Sequence, residues 1–81
     1  MSEFEVIKKY IDEYDYYGLL KDGAPSDEFD KYSRRLVWII NKTDTVDTIA
    51  MKIAELMDSA FGEEINPYKF VDLAQKIKNV L

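Results

Sequence analysis

Apolar residues recur at three- and four-residue steps along almost the whole chain, in four blocks set apart by glycine, proline and cap-forming residues. In the first block Phe4, Ile7, Ile11 and Tyr14 mark one face of a helix. Ser2 stands as its N-cap and Glu5 three residues later completes a capping-box spacing. Lys8 and Asp12 are four apart, and Gly18 supplies a left-handed stop. The predicted helix covers about residues 3–16.

After two linker leucines, Leu19 and Leu20, the stretch Lys21-Asp22-Gly23 reads as a turn. Pro25 fixes its own φ and pushes Ala24 into an extended conformation. Ser26 is the expected N-cap of a second helix over about residues 26–41, with Asp27, Glu28 and Asp30 at its positive end. Asp27–Lys31 and Asp30–Arg34 are acid-to-base pairs at four-residue spacing. Phe29, Tyr32, Leu36, Ile39 and Ile40 form a face that Val37 and Trp38 widen. A helix apolar on more than one side must be covered from more than one side, so this helix is the expected centre of the fold.

Val46, Ile49, Ala50, Ile53, Leu56, Met57 and Ala60 hold the period of a third helix, residues 45–61, with Asp44 or Thr45 as cap and Gly62 as stop. Asn66-Pro67 opens a fourth, residues 66–80, proline being harmless at the first helical position. Its face is Phe70, Leu73, Ala74, Ile77, Val80 and Leu81. No segment alternates at period two long enough to be a strand. The expectation is one all-α domain over residues 1–81, a compact four-helix bundle-like fold.

Composition narrows the chemistry. The chain of 81 residues has neither cysteine nor histidine. That removes disulfides, thiolate nucleophiles, nitrogen- or sulfur-based zinc sites and the usual near-neutral proton shuttle. Carboxylates remain, but Asp27, Glu28 and Asp30 share one turn and lack both the spacing of an EF-hand loop and the opposed placement of a glycosidase pair. Neither an enzyme nor a cofactor or metal site is expected. MSEFEVIKKY lacks the apolar core of a signal peptide, and Leu36–Ile40 is far too short to span a bilayer, so a cytoplasmic protein without a membrane role is expected.

Charge is uneven. The net charge is −5, yet residues 1–30 hold nine acids against three lysines and residues 31–81 hold seven acids against eight bases. Such an acidic first part repels nucleic acid and attracts a basic protein. Tyr10, Tyr14, Tyr16 and Tyr17 stand among Asp12, Glu13 and Asp15. Tyr16 and Tyr17 are adjacent, so they cannot share one helix face. Either they anchor a basic partner, steered by the acids, or they cover the Leu19-Leu20 linker. Asp12, Glu13, Asp15, Tyr16, Tyr17, Asp22 and Glu28 are the candidate partner-binding residues. Arg34 and Arg35 read as partners of Asp30 and neighbouring acids.

The stretch GLLKDGAPSDEFD, Gly18–Asp30, resembles the G-A-P-x-D-E-Y/F-D signature of the YugE-like family of small helical bacterial proteins of uncharacterised function. Ile49, Ile53, Met57, Phe61 and Ile65 follow the family's later pattern, which ends in A-x-x-I/L at Ala74 and Ile77. Tyr14-Asp15-Tyr16 replaces a Trp-Asp-Pro common in that family. The resemblance implies an all-α fold, with Gly18, Gly23, Pro25, Ser26, Asp27 and Asp30 as its structural signature. Proteins with this signature include ones resembling immunity proteins of bacterial toxin–immunity pairs, which implies occlusion of a basic toxin domain, such as a nuclease. A structural or regulatory role without a toxin partner is the alternative. Asp44-Thr45-Val46-Asp47-Thr48 also resembles the attachment motif of acyl carrier proteins, but Thr45 stands where the modified serine would be, and reads as a helix cap.

Overall fold

The computed structural model describes residues 2–81. Within them lie four α-helices, α1 (Glu3–Tyr14), α2 (Asp30–Ile39), α3 (Val46–Ala60) and α4 (Val71–Val80), with 3₁₀ turns at Tyr16–Gly18 and Pro67–Phe70 and no strand. The expected all-α, four-helix architecture is present. α1 packs on α2 and α4, and α3 packs on α2, α4 and the Pro67–Phe70 turn, so each helix has two helical neighbours around one core. No helix among the described residues is long and apolar enough to cross a membrane.

Three of the starts follow their cap signals. Ser2 Oγ accepts from the Glu5 N–H at 3.1 Å and donates to the Glu5 carboxylate at 3.2 Å. Thr45 Oγ1 accepts from the Thr48 N–H at 3.1 Å. Asn66 Oδ1 accepts from the Tyr68 N–H at 3.2 Å, and the turn begun at Pro67 is 3₁₀ until α4 proper starts at Val71. Gly62, with φ of 72°, follows the C-cap of α3.

The start of α2 departs from the expectation. Ser26 is not its N-cap: the helix begins at Asp30, and its N-cap residue Phe29 makes no side-chain cap bond. The Glu28 N–H donates to the Pro25 carbonyl and the Asp30 N–H to that of Asp27, two three-residue turns that delay the four-residue ladder until Ser33 N–H reaches Phe29. The Ser26 carbonyl, free of that ladder, accepts from the Lys8 ammonium at 3.0 Å. Asp27 and Glu28 therefore precede the helix, and only Asp30 lies in its first turn. Asp27–Lys31 does not form, Asp27 lying outside the helix, and Asp30–Arg34 does not because Asp30 turns across to Lys8 at 2.7 Å, which also holds Asp12 at 2.8 Å.

The centre of the fold is α3 rather than α2. α3 buries Ile49, Ala50, Ile53, Ala54, Met57 and Asp58, whereas α2 buries Ser33 and Leu36 alone. Ala50 and Ala54 allow neighbouring elements to come close to α3, while Trp38 on α2 is 83% exposed. Phe29 and Phe70, both fully buried, plug the space beside the two helix starts; each such ring contributes roughly 2–3 kcal/mol on burial. Leu19 and Leu20 pack against the core as the linker reading expects. The Lys52 ammonium caps the end of α2 by donating to the Ile39 carbonyl at 2.6 Å, where the helix dipole favours positive charge.

Candidate functional site

The exit from α1 sets the geometry of the acidic, tyrosine-bearing surface. α1 ends at Tyr14, two residues short of the expected end near residue 16, because Asp15 itself takes the left-handed conformation with φ of 51°. Aspartate tolerates that region when its short side chain bonds nearby backbone. The Asp15 carboxylate does so, accepting from the Leu20 N–H at 2.7 Å and the Lys21 N–H at 3.0 Å. Tyr17 follows with φ of 60° and Gly18 with φ of 64°. Left-handed backbone two residues apart turns the adjacent tyrosines in opposite directions.

Tyr16 points inward and is 4% exposed. Its ring meets Phe61 edge-on at 4.7 Å and stacks with Phe70 at 6.0 Å. Its hydroxyl donates to Asp58 Oδ1 at 2.7 Å. The Lys69 ammonium reaches the same oxygen at 2.7 Å, and the other oxygen accepts from the Asn66 N–H at 2.8 Å. Asp58 is wholly buried on α3, so this cluster ties the α1 exit, α3 and the entry to α4 together. Burial works against the Asp58 charge, but hydrogen bonds from Lys69, Tyr16 and the Asn66 amide outweigh it and hold the carboxyl below its ordinary range. Burial, reinforced by the bond to Asp58, pushes the Tyr16 phenol up. The hydrogen bond to Asp58 raises Lys69.

Tyr17 points outward and is 57% exposed, its ring resting edge-on against Tyr16 at 4.7 Å and tilted on Phe61 at 5.8 Å. A non-glycine residue in this conformation costs about 1–2 kcal/mol, which the anchored residues on either side enforce. Glu13 and Asp22 are exposed and, among the described residues, form no ion pair; Glu28 is half-buried and also unpaired among them.

The expected partner-binding set therefore divides. Glu13, Tyr17, Asp22 and Glu28 remain on the surface with free charge or ring area. Tyr16 is a core residue and no anchor. Asp15 is held by the loop amides, and Asp12 is bound to Lys8, so both are withdrawn as free carboxylates. Gly18 and Gly23, with φ of 64° and 101°, need glycine's conformational freedom, and Pro25 lies in the loop that places Phe29. Arg34 does not pair with Asp30; its guanidinium lies over the Phe4 ring at 5.5 Å. Thr45, in the carrier-like motif, spends its hydroxyl as the α3 cap and on Thr48 Oγ1 at 3.0 Å.

Asp58 and Lys69 were not singled out by sequence reading. The signal was present: Asp58 lies four residues after Ala54 and next to Met57, inside the apolar arc of α3, where a carboxylate requires partners. Among the described residues, no group of three or more His, Cys, Asp or Glu side chains is placed to hold a metal ion. Compared with known proteins, the chain matches no family model, no curated protein and no solved structure.

Proposed function

We propose that this chain is a non-enzymatic protein-binding module of immunity type, which occludes a basic toxin domain through the surface formed by Glu13, Tyr17, Asp22 and Glu28. The observation that carries this reading is the excess of carboxylates outside ion pairs in residues 1–30, together with an outward tyrosine ring in the same stretch. Of the nine acids in residues 1–30, Asp12 and Asp30 share Lys8 and Asp15 is bonded to backbone, while Glu3, Glu5, Glu13, Asp22, Asp27 and Glu28 have no ion pair among the described residues. Unpaired carboxylates steer a basic partner and stand in for phosphates in its site, and a rigidly held tyrosine supplies contact area at small entropic cost.

The strained backbone at Tyr17 supports the same reading. Strain of this kind persists where surrounding structure over-determines it, and often accompanies a binding role. Here Asp15 and Tyr16 fix the residue before it and Gly18 the one after it, so the ring is presented before any partner arrives.

The test is to identify what the gene adjacent to this chain's encodes and to titrate any basic toxin domain found there, at two salt concentrations; the absence of such a domain contradicts the proposal. A one-to-one complex that weakens as salt rises, and that is lost on combining Glu13→Lys with Asp22→Lys, is the expected result. Binding indifferent to salt and to both reversals, or no binding, contradicts the proposal.

A further inference from the structure

On the outer face of α2, Lys31, Arg34, Arg35 and Trp38 fall within an arc of about 100° on the helix, opposite buried Ser33 and Leu36. All four are exposed, and none of the three cations is in an ion pair. The carboxylate of α2, Asp30, is turned away to Lys8 on α1. Lys42, also exposed and outside any ion pair, extends the positive charge just beyond the helix. Beside this stripe a shallow cleft of about 190 Å³ is lined by Phe4, Arg34, Val37 and Trp38. Glu3 and Glu5 flank Phe4 on α1 and form no ion pair with Arg34.

An indole 83% exposed on a rigid helix contributes nothing to this fold's core. Trp and Arg are the residue types that most often dominate binding energy. The cleft of about 190 Å³ has room for one apolar side chain, and the exposed cations around it are free to meet carboxylates. We propose that this face of α2 binds an acidic amphipathic segment of a second protein. One apolar side chain of that segment sits between Phe4 and Trp38, and its carboxylates meet Arg34, Arg35 and Lys31. Charge complementarity selects a short acidic segment over an extended polyanion, because the molecule as a whole carries −5 and repels a long phosphate chain or an anionic bilayer.

Trp38 is the sole tryptophan, so its emission reports directly on this face. The probe is a synthetic helical peptide carrying one leucine flanked by glutamates at four-residue spacing. A blue shift on titration is expected. It should weaken with salt and fall at least about tenfold in affinity when Arg34→Glu and Arg35→Glu are combined; because Arg34 also packs over Phe4, Arg35→Glu alone, with the melting temperature in place, should show part of the loss. Loss of affinity in Phe4→Ala, with the helical signal retained, places the apolar side chain in the cleft. No shift up to about 1 mM peptide, or binding unaffected by the arginine reversals, overturns the proposal. A shift produced by a single-stranded oligonucleotide or phosphatidylserine vesicles and not by the peptide overturns it too. So does a shift that grows with protein concentration alone, which assigns the face to a second copy of the chain.

Discussion

The Tyr16 hydroxyl donates to Asp58 Oδ1 at 2.7 Å, joining residues 42 positions apart across the buried centre of the molecule. The bond closes a three-way connection, because the same carboxylate receives the Lys69 ammonium and the Asn66 amide. Removing one member of a buried charged network leaves the others unsatisfied. Asp58→Ala is expected to cost about 3–5 kcal/mol, and Tyr16→Phe, which keeps the ring, about 1.5–3 kcal/mol. In combination they should be less than additive, since they share one interaction. Urea denaturation of the two single variants and the double variant measures this. Full additivity would mean that the hydroxyl and carboxylate stabilise the fold independently.

Stability should fall at both ends of the pH scale, for reasons of opposite sign. Asp58 is held below its ordinary range despite burial, by Lys69, Tyr16 and Asn66, and Asp44 by the Asn41 amide and Lys52. A depressed folded-state pKa gives stability that is present above the unfolded value, near about 4, and lost as pH falls through the folded one. Tyr14 and Tyr16 are raised by burial, Lys69 by its bond to Asp58, and Lys8 by its bonds to Asp12 and Asp30. Their contribution is complete below the unfolded values, near about 10, and lost as pH rises through the folded ones. Thermal melts across pH should give a plateau between these limits. Lys69→Met should bring acid unfolding to higher pH, because the Asp58 carboxylate then keeps its burial without its strongest partner. An unchanged acid midpoint in that variant would deny Lys69 this role.

Three serine and threonine residues that the sequence marks as helix caps, two of which cap in the structure, separate in their expected effects. Thr45→Ala removes an acceptor that the Thr48 amide uses, and Ser2→Ala one that the Glu5 amide uses, each costing about 1 kcal/mol. Ser26→Ala should be nearly neutral, because only its backbone carbonyl is engaged. Differential scanning calorimetry of the three variants separates them, and a drop for Ser26→Ala comparable to that for Thr45→Ala would restore it as a cap.

The same contrast explains what the sequence made legible. Periodicity placed four helices, and Thr45, Asn66 and Gly62 marked ends that the structure keeps, because each signal acts through neighbours within one turn. The start of α2 failed for a nonlocal reason: Lys8, from another helix, takes Asp30 and the Ser26 carbonyl away from their local partners. Val37 and Trp38 suggested a helix covered on several sides, yet apolar identity alone does not say which side a neighbour takes, and Trp38 is left exposed. In the candidate site, adjacency established that Tyr16 and Tyr17 must diverge. Which one turned inward depended on Asp15 adopting left-handed backbone and on a buried carboxylate 42 residues away, neither of which local spacing encodes.

The central claim is that adjacent tyrosines divide between fold and binding. Its most direct test is a paired measurement of melting temperature and of affinity for the basic toxin domain that the proposed function requires, made on Tyr16→Phe and Tyr17→Ala. Tyr16→Phe should lower the melting temperature and, while folded, keep the affinity. Tyr17→Ala should lose at least about tenfold in affinity, the scale of an interface anchor, with a much smaller change in melting temperature. Affinity lost in folded Tyr16→Phe and retained in Tyr17→Ala would contradict the assignment.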